Sequence, residues 1–263
     1  MSHKTTFKNG ITLKEITTPT ALSNWGKVYP KSDNVLYFQD GAGIEHELRT
    51  LGDAYGEAYI YNNSTATVIE TADTPIALNG IIQTGLVQGW TFETGSTAAI
   101  SVYADYSGTV AGTVLATSTH GLATNDIITI RGTTNYNGIF QVTVVDSTHF
   151  YFSDTWVAND GASDFDQGAR LIAGTGSAGI YSASWQMSTT PAAASILTWK
   201  MNINTIPQNK STAERKYPIN DLGSCSSTCV LDISVGDVVW LTVQSDATAN
   251  ITNKHGEFNL RRL

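Results

Sequence analysis

Short runs of alternating or β-branched residues recur along the whole chain, separated by clusters of Gly, Asn, Asp, Ser and Thr. This rhythm narrows the possible folds more than any other feature. "IFQVTVV" (139–145), "IYSASWQM" (180–187), "ILTWKMNI" (196–203) and "DVVWLTV" (237–243) all have the period of two expected of a strand with one face buried. In "IYNNSTATVIET" the same period puts Thr65, Thr67 and Ile69 on one face and Ala66 and Val68 on the other. Between such runs stand turn signals such as "TTNYNG", "VANDGASD" and "AGTGSAG". No window of about a dozen residues carries a 3.6-residue apolar period. The predicted fold class is therefore all-β.

Length and charge exclude several roles. At 263 residues the chain can bury a substantial core, as one large β domain or as two or three modules. Charged residues make up only 14%, and the net charge is −8. The 15 Lys and Arg are scattered, so no basic stripe exists to track phosphates, and nucleic acid is not an expected partner. "MSHKTTFKNG" lacks the apolar core of a signal peptide, and no run approaches the ~18 apolar residues of a membrane span. The expectation is a soluble protein with no membrane insertion.

Three segments differ in character. Residues 1–56 hold most of the N-terminal charge and one hairpin signal; 57–94 and 172–263 read as long amphipathic strands; 95–171 is a compact block rich in Thr and Asp. The middle block contains a complete series of strands and turns in "THGLATNDIITIRGTTNYNGIFQVTVVDSTHFYF". It reads as an insertion between two strands of a host sheet, which requires its ends to lie close together.

The candidates for chemistry are weak once their spacing is considered. "GTGSAG" (174–179) matches a dinucleotide-binding glycine pattern, but a strand follows it where a helix N-terminus would be needed. It reads as a glycine turn, placed where the insert rejoins its host. Asp160, Asp164 and Asp166 in "NDGASDFDQG" lack the glycine and closing Glu of the known calcium loop and read as a solvated loop. Cys225 and Cys229 in "CSSTC" are too few for a disulfide framework and have no neighbouring His for zinc; they read as free thiols, with a local disulfide as the alternative. No Gly-x-Ser-x-Gly elbow occurs and the five His are dispersed, so no catalytic role, cofactor or metal is expected. In "VLYFQDGAGIEHEL" (35–48), Asp40-Gly41 marks a hairpin. Alternation then puts Leu36 and Phe38, with Ile44, His46 and Leu48, on one face and Glu45 and Glu47 on the other, so this group of charges is predicted not to converge. Trp90, Trp185, Trp199, Trp240 and Leu241 are candidates for the core or for packing between subunits, and a sugar platform is the alternative for the aromatic residues.

Three resemblances add to this reading. His120-Gly121-Leu122, Asp126 before Ile127–Ile130, Asn137-Gly138 before Val142 and Val144, and the closing Phe150–Phe152 resemble a small β-barrel module. That module is related to a half-domain of ubiquitin-activating enzymes and recurs as a decoration in phage virion proteins; it brings no catalytic residue with it. "GEAYIYNNSTATVIET…TPIALNG", "GIYSASWQMS" and "LDISVGDVVWLTVQSDATANI…NLRRL" look like strands of the C1q/TNF-like jelly roll, which implies a homotrimer. "GKVYPKSDNVLYFQDGAGIEHEL" is similar to an arm of phage structural proteins, in a pattern that takes in Lys27, Tyr29, Lys31, Asp33, Leu36, Tyr37, Phe38, Asp40, Gly41, Gly43, Glu45, His46, Glu47 and Leu48.

Together the resemblances imply a non-enzymatic virion structural protein. It would be assembled in the host cytoplasm and displayed on the particle surface as a homotrimeric head decoration or head fibre. Residues 1–56 would be its attachment arm, docking on major capsid or another virion protein through Tyr29, Leu36, Tyr37, Phe38, Ile44, His46 and Leu48. The remainder would be a jelly-roll sandwich (57–94 and 172–263) interrupted by a small β-barrel (95–171). The alternative within this reading is a tail-fibre or receptor-binding protein that recognises a host surface glycan or protein. A depolymerase is a third class, and the β-helix repeats usual there are absent from the sequence.

Overall fold

The structure is a computed structural model, and it describes residues 13–32, 35–47, 54–69, 75–77 and 82–263. It divides into two compact units, 1–52 and 53–263. Leu48 and Asp33 lie outside the described residues.

In the first unit, β1 (Lys27–Pro30), β2 (Leu36–Gln39) and β3 (Glu45–Glu47) form an antiparallel sheet in that order. The register is Val28 opposite Phe38 opposite His46, and Tyr29 opposite Tyr37 opposite Glu47. The β2–β3 turn is closed by Asp40, whose Oδ1 accepts from the backbone N–H of Ala42 (3.0 Å) and Ile44 (2.9 Å). The left-handed residue is Gly43 (φ 92°) and not Gly41, so the turn is a longer loop than the two-residue hairpin that Asp-Gly suggests.

The second unit is a β-sandwich that carries an inserted sheet. Its strands before the insert are β4 (Tyr55–Ile60), β5 (Ala66–Thr67), β6 (Ile76–Ala77), β7 (Ile82–Gln88) and β8 (Trp90–Glu93). The insert holds β9 (Ser96–Ile100), β10 (Val102–Asp105), β11 (Thr113–Thr117), β12 (Ile127–Arg131), β13 (Gly138–Asp146), β14 (His149–Ser153) and β15 (Ser163–Gln167). The sandwich resumes with β16 (Arg170–Ala173), β17 (Gly179–Pro191), β18 (Ser195–Ile203), β19 (Ile206–Pro207), β20 (Ala213–Tyr217), β21 (Gly223–Ile233), β22 (Val238–Ser245) and β23 (Ile251–Arg262). The sandwich therefore takes in Tyr55 and Gly56, and Arg170 and Leu171, which fall just outside the segments assigned to it from sequence.

One sandwich sheet runs β21-β17-β23-β4-β7 with β5 beside β23; the other runs β19-β18-β22-β16-β8 with β20 on β18 and β6 on β22. From β16 onward the chain passes back and forth between the two, so each new long strand is laid opposite its predecessor. Alternation supplies the core: Tyr181, Ala183, Trp185 and Met187 of β17 face Leu197, Trp199 and Met201 of β18. The Trp185 and Trp199 rings lie 6.1 Å apart, and the Trp185 indole N–H donates to the Ser211 carbonyl (3.0 Å). Trp90 meets Tyr181 edge-on at 5.3 Å, and Leu241 is buried in the same core opposite Met201 on the neighbouring strand. All five of the candidate packing residues are thus buried within one chain, Trp240 included.

The insert is a single seven-stranded sheet, β10-β11-β14-β13-β12-β15-β9. Its two outermost strands, β9 and β10, are consecutive and separated only by Ser101. The sheet must therefore curl until its edges meet at that residue, which is how a small barrel closes. Tyr103, Tyr136, Phe150, Phe152 and Phe165 fill the interior.

The insert is fastened to its host at several points. Both connections pass side by side, so closely that a Cβ on Gly95 would come within 2.3 Å of the Gln167 carbonyl oxygen. Arg170 of β16 pairs with Glu93 of β8 and reaches Asp126 of the insert at 3.1 Å. Ala77, Ile127 and Trp240 form a small apolar cluster across the junction, and the Ala77 N–H donates to the Thr129 hydroxyl (3.2 Å).

Candidate functional site

The N-terminal sheet has two unlike faces. On one, Glu45 accepts hydrogen bonds from Lys31 (2.5 Å), from Thr18 (2.8 Å) and from the Tyr29 hydroxyl. Tyr29 stacks on Tyr37 at 6.3 Å, and the Lys31 ammonium sits 4.4 Å over the Tyr37 ring. Residues 16–20 lie over this face: the Ile16 N–H donates to Pro30, the Gln39 amide to Pro19, and Lys27 to Thr20. The Lys31 bond, followed by those from Tyr29 and Thr18, lowers the Glu45 carboxyl from 4.5 to about 2. Burial, reinforced by Glu45, raises the Tyr29 hydroxyl to about 12.

The opposite face is open. Val28 is 49% exposed, His46 stands opposite Phe38, and Ile44 is 58% exposed at the end of the turn. The Phe38 ring lies over Gly26, where a Cβ would collide with it. Trp25, 72% exposed, precedes this strand on a turn whose Asn24 is left-handed (φ 65°), and Leu22 is also exposed. Among the described residues β3 pairs only with β2.

The arm residues singled out from sequence therefore divide. Leu36, Phe38, Ile44 and His46 share the open face or its turn, Tyr29 and Tyr37 lie on the covered one, and Leu48 is outside the described residues. Trp25 and Leu22 were missed; the available signal was a tryptophan standing just after a Ser-Asn turn, outside any alternating run. The expectation that this group of charges does not converge holds for His46, which the register puts on the face opposite Glu45 and Glu47; what alternation did not show is which partners they find. Glu45 meets Lys31, and His46 Nε2 comes within 3.4 Å of Asp40 Oδ2, because the loop folds Asp40 back over β3.

Elsewhere the chemical candidates are tied into the scaffold. Asp160 accepts from the backbone N–H of Thr134 (2.9 Å) and Asn135 (2.6 Å). Asp164 and Asp166 hold Arg131 at 3.2 and 2.5 Å. No group of three or more His, Cys, Asp or Glu suited to a metal occurs among the described residues. "GTGSAG" is a turn as expected, but it joins β16 to β17 inside the sandwich, whereas the insert rejoins its host at β15–β16. Cys225 and Cys229 are both unpaired. Four residue steps along the extended β21 separate their Cα atoms by about 13 Å, beyond the ~7 Å that a disulfide spans. Burial raises both thiols above their ordinary range.

Among the described residues no helix is long and apolar enough to cross a membrane. No protein-family model matches this sequence, and comparison with curated proteins finds no match either.

Proposed function

We propose that the chain is a non-enzymatic virion structural protein. In this reading it is a homotrimeric head decoration or head fibre, attached through its N-terminal arm to major capsid or a neighbouring virion protein. The observation that carries the reading is the arm itself. It forms a compact unit of its own, and one face of its small sheet is locked by Glu45 while the other leaves Val28, Ile44 and the nearby Trp25 exposed. Large apolar side chains left in water on so small a sheet are what a docking surface requires. The all-β body, with a curled insert mounted on it, suits display, and the back-and-forth passage between sheets supports the jelly-roll resemblance. Weak contacts repeated on a trimer and over a particle would add through avidity.

The test replaces two exposed arm residues together, Val28→Asp and Ile44→Asp. The expected result is loss of the chain from assembled particles, as read by mass spectrometry of purified virions, with unchanged circular dichroism. Unchanged incorporation sinks the arm assignment. Absence of the unaltered chain from particles sinks the virion reading, and a monomeric mass by light scattering sinks the trimer.

A further inference from the structure

The outward face of the sheet β21-β17-β23-β4-β7 is stepped. Its register sets Tyr59 of β4 beside Glu257 of β23 and Gln186 of β17 in one row, and Glu57 beside Asn259 and Ser184 in the next. On β4 the outward residues are Tyr55, Glu57 and Tyr59, followed by Tyr61. On β17 and β21 many are small hydroxyl residues, Ser182, Ser184 and Ser188 beside Ser224, Ser226 and Thr228, with Gln186 among them and Ile180, Val230 and Asp232 towards one end. A wall of tyrosines thus overlooks a low floor of hydroxyls, and between them lies a depression of about 470 Å³. That is within the ~300–1,000 Å³ of small-molecule clefts.

Its polar groups are held in place. The Glu57 carboxylate is oriented by the Leu86 N–H (3.1 Å), and Glu257 accepts from the Gln186 amide (3.1 Å). The Asn62 N–H donates to His255 Nδ1 (3.3 Å), so a neutral His255 carries its proton on Nε2 and offers it as a donor. Tyr61 is 70% exposed, with its ring 5.4 Å from that of His255. An aromatic residue left so open just past the end of β4, next to fixed carboxylate and amide groups, matches a ligand with an apolar face and a polar rim.

We infer that this depression binds a neutral hexopyranose unit of an oligosaccharide. The C–H face of a pyranose would lie on Tyr61, an amphipathic ring suited to it. The ring hydroxyls would donate to Glu57 and Glu257 and accept from Gln186 and His255. No Lys or Arg lines the depression and two carboxylates do, so sialylated, sulfated or phosphorylated glycans are repelled. The inference does not depend on the attachment role of the arm; it requires only that this face stay outside the trimer interface.

The test titrates the intact protein with neutral oligosaccharides (gluco-, manno- and galacto-hexaoses) and with heparin and polysialic acid as anionic comparators, followed by saturation-transfer NMR. Binding of a neutral oligosaccharide at or below ~1 mM is expected, weakened about tenfold or more in Tyr61→Ala and in Gln186→Ala. Val230→Ala, on the same face but outside the depression, should bind as the unaltered protein does. The inference is overturned if no neutral oligosaccharide binds, if only the anionic comparators do, or if Tyr61→Ala leaves binding unchanged. It is also overturned if Tyr61→Ala changes the oligomeric mass by light scattering, which would make this face an interface between copies of the chain.

Discussion

Replacing Arg131 by Met tests what holds the insert together. Arg131 lies on β12, between β13 and β15, and is 3% exposed. Its Nε binds Asp166 Oδ2 at 2.5 Å and its Nη1 reaches Asp164 at 3.2 Å. The two carboxylates should respond differently. Asp164 is a third exposed and can rehydrate, so its share is at most ~1 kcal/mol. Asp166 has no exposure, and although the Thr97 hydroxyl still donates to it (2.7 Å), its charge would lose the guanidinium inside the protein. Orphaning a buried partner of this kind costs about 3–5 kcal/mol. If sandwich and insert unfold together, that corresponds to a fall of roughly 6–20 °C in Tm. Calorimetry gives the total, and hydrogen exchange of the β12 and β15 amides shows where protection is lost. The double variant Arg131→Met with Asp166→Leu removes both charges and should be more stable than Arg131→Met alone. A loss below ~1 kcal/mol for Arg131→Met, or a double variant less stable than the single one, would refute the reasoning.

The other expectations concern separate regions. Because the folded Glu45 carboxyl lies near 2 and the unfolded one near 4.5, its contribution to the arm is present above 4.5 and is lost as pH falls from 4.5 towards 2. The near-ultraviolet signal of the Tyr29–Tyr37 stack should fade in that window, and Lys31→Met should bring the transition to higher pH; a transition that stays in place counts against the pairing. Gly95→Ala pushes a Cβ into the backbone of residues 167–169 and should cost about 1–3 kcal/mol in denaturant titration. A neutral result would mean that the junction has slack. Cys225 and Cys229 should alkylate slowly in the native protein and quickly in urea, and should lose no hydrogens by intact mass after mild oxidation. Formation of an intramolecular disulfide would contradict the extended β21.

What could be read from the sequence, and what could not, follows from the range of the forces concerned. Side-chain alternation is local, so β13, β18 and β22 were legible within a residue or two of their ends, whereas β17 runs four residues further, to Pro191, than its alternating run suggests. Composition changes near residue 95, and β8 and β9 on either side of it lie in different sheets. Pairing is not local. Nothing in the one-residue gap between Ile100 and Val102 reveals that their strands stand at opposite edges of one sheet. The same limit hid the depression on the outer face. Tyr59, Gln186 and Glu257 are brought together only by the β4-β23-β17 register, and each alone reads as an ordinary solvated strand position. Tryptophan inside an alternating run is core at Trp185 and Trp199, while Trp25, outside any such run, is exposed. "GTGSAG" was correctly a turn, but glycine spacing cannot say which two strands it joins.

The insert is more firmly mounted than its compositional contrast with the sandwich suggests, and this bears on what it can do. An inserted domain held by two linkers alone would swing, and its outer loops would sample many orientations. Here the linkers touch backbone to backbone at Gly95, Arg170 ties β16 to Asp126, and Trp240 packs between the sandwich and Ile127. The Ala77–Thr129 hydrogen bond adds a fourth tie, and Thr129 also donates to the Asp166 carbonyl (3.2 Å), the residue that holds Arg131. The junction and the charged centre of the insert are thus adjacent on β12 and β15. A change that loosens Arg131 should therefore loosen the seam as well, and the insert's loops are presented at an angle set by the sandwich instead of by a hinge.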